Sequence, residues 1–195
     1  MFGNPKIFGV IALLVTAGAA VALWQWLERR TYHFAVVQAG VLYRDGNRGM
    51  AEFSHALRRA QARTVVALVD DREFAQEQFQ AEERYCRDHG IALERLVIVP
   101  GGWPTQEQVR EFLRLAGDKE RQPVLVHCAQ GVRRTGIMVA AFEESILGYD
   151  ARRAKEGILS FGHSQRTVGD IRAFIDAYDG PGRRVGALPA AKGQE

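Results

Sequence analysis

The chain is poor in cysteine and proline and has no marked excess of either charge. Only two cysteines, Cys86 and Cys128, occur in 195 residues, which excludes a disulfide framework. They stand far apart with no second ligand pair beside either, so a cysteine-based zinc site is excluded too. Neither a metal nor a cofactor is expected. Lysine and arginine number 26 against 23 aspartate and glutamate, a formal net charge of +3. That balance is too slight to argue for a nucleic-acid partner, though it suits anionic substrates or a membrane surface. No internal repeat and no low-complexity block interrupts the globular part.

What is present is apolar material in two forms. Hydrophobic residues make up 47% of the chain, ample for one packed core. Residues 7–27 form a separate run with no charged side chain, preceded by Lys6 and followed by Glu28-Arg29-Arg30. That length suits a bilayer-spanning helix, and Trp24 and Trp26 sit where interfacial aromatics are favoured. A cleaved signal peptide ending near Ala17-Gly18-Ala19 and a buried core helix are the rival readings. The apolar run continues past the cleavage site, which favours an anchor. Arg29, Arg30 and Arg44 after the span lean toward a cytoplasmic globular domain. The expected organisation is a membrane anchor over residues 1–30, a globular domain over 31–179 and a disordered tail over 180–195.

Within the domain, residues 34–43 suggest a short hairpin. Residues 50–62 carry Phe53, Ala56, Leu57 and Ala60 on one stripe, as an amphipathic helix requires. Thr64–Val69 reads as a buried strand, 72–89 as a charged helix and Leu96–Val99 as the next strand. Cys86 falls in that charged helix as a core or helix residue, with a redox partnership with Cys128 as the alternative. Thr105 and Gln108 have the spacing of a capping box, ahead of a stripe of Val109, Phe112, Leu113 and Ala116. A strand over 123–127, an apolar helix from Thr135 to Leu147 and helices near 150–160 and 167–178 complete the pattern. Strands alternating with helices predict an α/β sandwich with a largely parallel central sheet flanked by helices.

The most informative stretch is His127-Cys128-Ala129-Gln130-Gly131-Val132-Arg133-Arg134-Thr135-Gly136. It follows an apolar strand and opens a helix, at the carboxyl end where open α/β sheets gather their sites. Backbone N–H groups of residues 129–135 make an anion cradle there, and the helix dipole adds positive potential. Arg134 supplies a planar fork matched to phosphate oxygens. A thiol in that field is held as thiolate, because cations and helix N-termini lower a cysteine pKa to roughly 3.5–7.5. Buried strand cysteines are commonly inert, but cysteine, glycine and arginine at this spacing argue otherwise.

This stretch resembles the signature loop of the cysteine-dependent protein-tyrosine and dual-specificity phosphatases. Over roughly residues 34–178 the chain is similar to the small atypical bacterial and plant/fungal-type members. Val41-Leu42-Tyr43-Arg44, Thr64-Val65-Val66-Ala67-Leu68, Pro123 to Cys128, Gly148-Tyr149-Asp150 and Ser160-Phe161-Gly162-His163 carry the likeness. One departure is Asp45-Gly46, where the group usually continues Ser-Gly. The resemblance implies the phosphatase fold, nucleophilic attack by Cys128 and a phosphocysteine intermediate. It implies that Arg134 holds the equatorial oxygens, that Thr135 stabilises the departing thiolate and that His127 fixes the loop. It also implies phosphoprotein or inositol (pyro)phosphate substrates.

Members of this class draw a leaving-group proton from an aspartic acid on a separate loop. The corresponding loop here, Pro100-Gly101-Gly102-Trp103-Pro104, has none. Asp70, Asp71 and Glu107 are the substitutes within reach in sequence, each with an ordinary helix-start role as its alternative. A phosphoanhydride substrate needs little protonation, so the absence fits a pyrophosphate. A catalytically weak phosphate-binding pseudophosphatase is the alternative, disfavoured by the retention of Cys128, Arg134 and Thr135 together, since binding alone does not need the thiol. A sulfurtransferase or arsenate reductase shares the thiolate and anion loop but matches Arg134-Thr135 less well. Arg133 faces either a second phosphate or solvent. Trp103 packs or walls the pocket, and His163 and Arg166 lie near the site or merely end a helix.

Overall fold

The computed structural model describes residues 14–23, 33–46, 49–158, 165–178 and 180. The chain divides into two compact units, Met1–Thr31 and Tyr32–Glu195. In the first, residues 14–23 are helical and expose Leu14, Val15, Val21 and Leu23. Among the described residues no helix is long and apolar enough to cross a membrane. The transmembrane helix expected over 7–27 is therefore not found, and both ends of that span lie outside the described residues. The Ser160–His163 motif and the tail beyond residue 180 also lie outside them.

The second unit is built on five strands: β1 (Ala35–Gln38), β2 (Leu42–Gly46), β3 (Thr64–Ala67), β4 (Ala92–Arg95) and β5 (Val124–Cys128). Their order is β1-β2-β5-β3-β4. The β1–β2 pair is antiparallel and the other three pairings are parallel, so the sheet is mixed. Helices α1 (Met50–Ala60), α2 (Asp71–Phe74), α3 (Glu77–Asp88), α4 (Gln106–Gly117), α5 (Arg133–Ser145), α6 (Ala151–Ile158) and α7 (Gln165–Ala177) connect and cover it.

β3 and β5 are buried along their whole length, as β-branched and apolar strands of a parallel sheet covered on both faces must be. Alternation along β5 divides the core. Val124, Val126 and Cys128 face a large cluster with Phe112, Ile137, Phe142 and Ile171. Leu125 faces a smaller one with Phe53, Leu57, Val65 and Cys86. The two free cysteines thus occupy separate clusters on opposite faces of β5, which removes their redox partnership.

Three elements differ from the sequence reading. The charged helix over 72–89 is two helices, because Asp70 and Glu73 close a capping box that starts a single turn before α3. The fourth strand pairs over 92–95, not 96–99. Beyond it the alternation persists, with Leu96 and Ile98 buried and Val97 and Val99 exposed, but β3 offers no further paired residues. α5 starts at Arg133, two residues early, which brings the signature arginine into its first turn.

α4 carries the 100–104 loop toward the cleft and is held by Phe112, which is fully buried. Replacing Phe112 by alanine is expected to destabilise the domain by about 3–5 kcal/mol. A urea denaturation series reads this as a lowered midpoint with an unchanged slope.

Candidate active site

Cys128 ends β5 in register with Gly46 of β2. The chain then turns through Ala129–Val132 into α5. Gly131 has φ +66°, and a Cβ built there would stand 2.3 Å from the Asp45 carbonyl oxygen and 2.6 Å from the Gly46 Cα. Only glycine lets the loop pack on the end of β2 with that backbone. Arg44, buried in β2, donates from its guanidinium to the Gly131 carbonyl oxygen at 2.7 Å. The loop carbonyl is thereby fixed from behind. His33 donates from Nδ1 to the Gln130 carbonyl oxygen at 2.7 Å.

Burial by itself pushes the Cys128 thiol up. The Arg134 charge, the Thr135 hydroxyl and the backbone amides of Thr135 and Gln130 outweigh it and hold the thiol below its ordinary value. The sequence expectation of an ionised sulfur thus has its partners in place. His127 is fully buried, and desolvation first, opposed by the Cys128 backbone and aided by Arg134, pulls its imidazole down to about 4. At neutral pH it is uncharged.

Arg134 is buried and grips Glu73 with both ends of its fork. Nη2 donates to Oε1 at 2.7 Å, and Nη1 donates to Oε2 and, at 2.9 Å, to the Ile98 carbonyl oxygen. Glu73 Oε2 also accepts from the Asp70 backbone N–H at 3.1 Å. A single carboxylate therefore starts α2 and aims the arginine. Sequence reading missed Glu73. The Asp70-x-x-Glu73 box was a visible signal for a helix start, but nothing in it announces a partner 61 positions away.

The remaining predicted residues sort by contact. Arg133 ties Asp170 of α7 (3.0 Å from Nε) and the Gly102 carbonyl oxygen to the loop. Its side chain is a strut between α7 and the 100–104 segment. Trp103 packs on Phe174 at 5.6 Å between ring centroids. Asp70 is the N-cap of α2, and Asp71 pairs with Arg95 at 2.7 Å while remaining 83% exposed. Glu107 is exposed in the first turn of α4, beside a groove with Arg110 and Arg114. Arg166 is exposed on α7, and His163 lies outside the described residues. The cleft above Cys128 encloses about 260 Å³ and is walled by Glu73, Pro100, Gly101, Arg133 and Thr167. Among its described lining residues Glu73 is the only carboxylate, and it is committed to Arg134. No group of His, Cys, Asp and Glu among the described residues is arranged to hold a metal.

Cys128, the amides of the loop that follows it and the Arg134 anchored by Glu73 meet at one end of a phosphatase-type α/β fold. The family model described as a DSP-PTPase phosphatase fused to NAD+ kinase matches residues 19–170, and the chain belongs to that family. Inositol diphosphatase DSP1 of Oryza sativa subsp. japonica is 30% identical over 153 residues, covering 75% of this chain and 64% of that protein. The chain thus spans less than two thirds of that relative's length. P. aeruginosa TpbA is 26% identical with a TM-score of 0.56, over 71% of this chain and 81% of that one. The catalytic core of the PP-IP phosphatase SIW14 of S. cerevisiae shares the fold, with a TM-score of 0.62 at 20% identity over 75% of this chain and 85% of that one.

Glu73→Ala is expected to release the Arg134 fork and lower kcat/KM on an aryl phosphate by about 100-fold, the scale of an ångström's misplacement. Steady-state kinetics on folded variant checks this. Gly131→Ala is expected to abolish turnover and oxyanion binding together, since its Cβ meets backbone and not a movable side chain. Calorimetric titration with tungstate measures the second loss.

Proposed function

We propose that the chain hydrolyses phosphate esters and anhydrides through a covalent phosphocysteine. Cys128 Sγ attacks phosphorus, the bond to the leaving oxygen breaks, and the P–S bond forms. Arg134 and the loop amides take the charge of the equatorial oxygens. Water then attacks the phosphocysteine, releasing phosphate and returning the thiolate, which Thr135 stabilises. The observation that carries this reading is the Cys128 thiol held below its ordinary value beside an arginine fixed by Glu73.

The substrate class follows from the proton that the cleft does not offer. Glu73 is committed to Arg134, Asp70 caps α2, Asp71 pairs with Arg95 and Glu107 does not line the cleft, so among the described residues an alkoxide leaving group lacks a donor. A phosphate leaving from an anhydride needs none. We therefore favour an inositol pyrophosphate or similar phosphoanhydride, followed by aryl esters such as phosphotyrosine. The rice relative is named as an inositol diphosphatase and the yeast neighbour as a PP-IP phosphatase. TpbA has been crystallised with phosphotyrosine. The same absence favours a second reading, a phosphate-binding module with lost chemistry.

The apolar run over 7–27 supports a further proposal, membrane attachment of the domain. Carbonate extraction of membranes from expressing cells tests it, and release of the full chain into the supernatant would refute it.

With substrates of graded leaving-group basicity, kcat is expected to fall steeply from pyrophosphate and aryl esters to alkyl esters. Cys128→Ser is expected to abolish turnover of all of them. Equal rates on phosphoserine and anhydride would refute the substrate class. Tight binding with no acid-stable phosphoenzyme and no turnover would establish the binding module instead.

A further inference from the structure

On the face of the sheet opposite the Cys128 side chain lies a closed polar cluster that the reaction does not use. Asp45 and His127 are register partners on β2 and β5, each one residue before the backbone pair Gly46 and Cys128. Glu82 enters from α3, with Oε2 3.3 Å from His127 Nε2. All three are buried, at 1%, 0% and 1% exposure for Asp45, His127 and Glu82. Phe53 closes the cluster edge-on, its ring 5.6 Å from the imidazole. Both Asp45 oxygens, Glu82 Oε1, a Glu52 oxygen and both His127 ring nitrogens are buried without a hydrogen-bond partner, so Glu82 and His127 are in close contact but not hydrogen-bonded. Two carboxyls shut away from water beside an imidazole cannot all carry charge.

We propose that Asp45 and Glu82 are positioning residues, which keep their protons at neutral pH, brace His127 and through it the Cys128 backbone, and weaken oxyanion binding when they ionise. This rests on the reading of Cys128 as the centre of an oxyanion site. Among the described residues the groups facing the cluster are Glu52 from α1, Glu82 and Cys86 from α3, Asp45 from β2, and His127 from β5, with Arg134 acting on His127 from α5. Burial, opposed by the Gly46 backbone and aided by Glu52, pushes Asp45 up to about 8. Burial and then Asp45 push Glu82 well above the carboxylate range. Burial and then Glu82 push Cys86 up to about 12, so it stays a thiol. A carboxylate formed at Asp45 meets the like charge of Glu52 and stands beside His127, on which Arg134 acts, and the bound oxyanion needs the charge of that arginine.

The sign is fixed by linkage. A carboxyl raised in the folded state supports that state below its unfolded pKa and loses the contribution as pH rises through the folded value. The window for Asp45 is therefore about 4 to 8, with the loss completed on the alkaline side.

The test uses tungstate, whose charge is constant over the range, and the full chain. In the parent protein, tungstate affinity is expected to fall about tenfold between pH 6.5 and 9. In Asp45→Asn that fall is expected to vanish, with affinity at pH 6.5 within about twofold of the parent. Asp45→Ser gives a smaller uncharged side chain and is expected to behave alike. Glu82→Gln removes no charge while Glu82 is protonated and is expected to leave the Asp45 step at its parent pH, whereas an ionised Glu82 would make the substitution shift that step to lower pH. Carbon NMR of the Asp45 and Glu82 carboxyls judges the cluster independently of any ligand. Titration of both in the ordinary carboxylate range overturns the proposal. So does an unchanged alkaline fall in Asp45→Asn. Raised carboxyl titrations without tungstate binding would overturn the coupling and with it the oxyanion-site reading, whereas tungstate binding without an alkaline fall overturns the proposal alone.

Discussion

The grip of Glu73 on Arg134 is the contact on which the site's geometry depends. An arginine that meets phosphate must be charged, oriented and kept from folding back onto the loop. Burial works against its charge, and the carboxylate offsets that penalty while fixing the plane of the fork. The Ile98 carbonyl oxygen accepts a further hydrogen bond from Nη1. Groups that follow β3 and β4 thus aim a side chain that follows β5. Such a pair contributes little net stability, because both ions are taken out of water. Its value lies in geometry.

The back of the loop is governed by shape. Gly131 sits against the end of β2 with no room for a side chain, and Arg44 holds its carbonyl. On the outer side Arg133 joins the loop to Asp170 and Gly102, and Trp103 packs at a tilt against Phe174. The 100–104 segment is consequently clamped with glycine and proline where an acid would stand. The cradle is held from both sides and the cleft lacks a proton donor among its described residues. Both features favour a leaving group that departs unaided.

The signature loop was legible in the sequence because its parts are consecutive: strand, thiol, glycine, arginine and helix lie within one short run. The capping box of Thr105 and Gln108 was legible for the same reason, and both of its hydrogen bonds form. Glu73 was not legible, since a charged residue on a charged segment looks like a solvated one. Glu82 hid in the same way on α3, although it is buried. Asp45 stood out only as a departure from the usual serine. Its meaning required the strand register that sets it beside His127. The fourth strand was displaced because hydrophobicity peaks at 96–99, whereas pairing follows the length of β3.

The account's central claim is tested most directly by the pH dependence of Cys128 alkylation by iodoacetamide, followed by mass spectrometry. The claim predicts half-maximal reactivity well below the value of about 8.5 for a free thiol, and a return toward that value in Arg134→Ala. Half-maximal reactivity at or above the free-thiol value in the parent protein, unmoved by loss of Arg134, would contradict it.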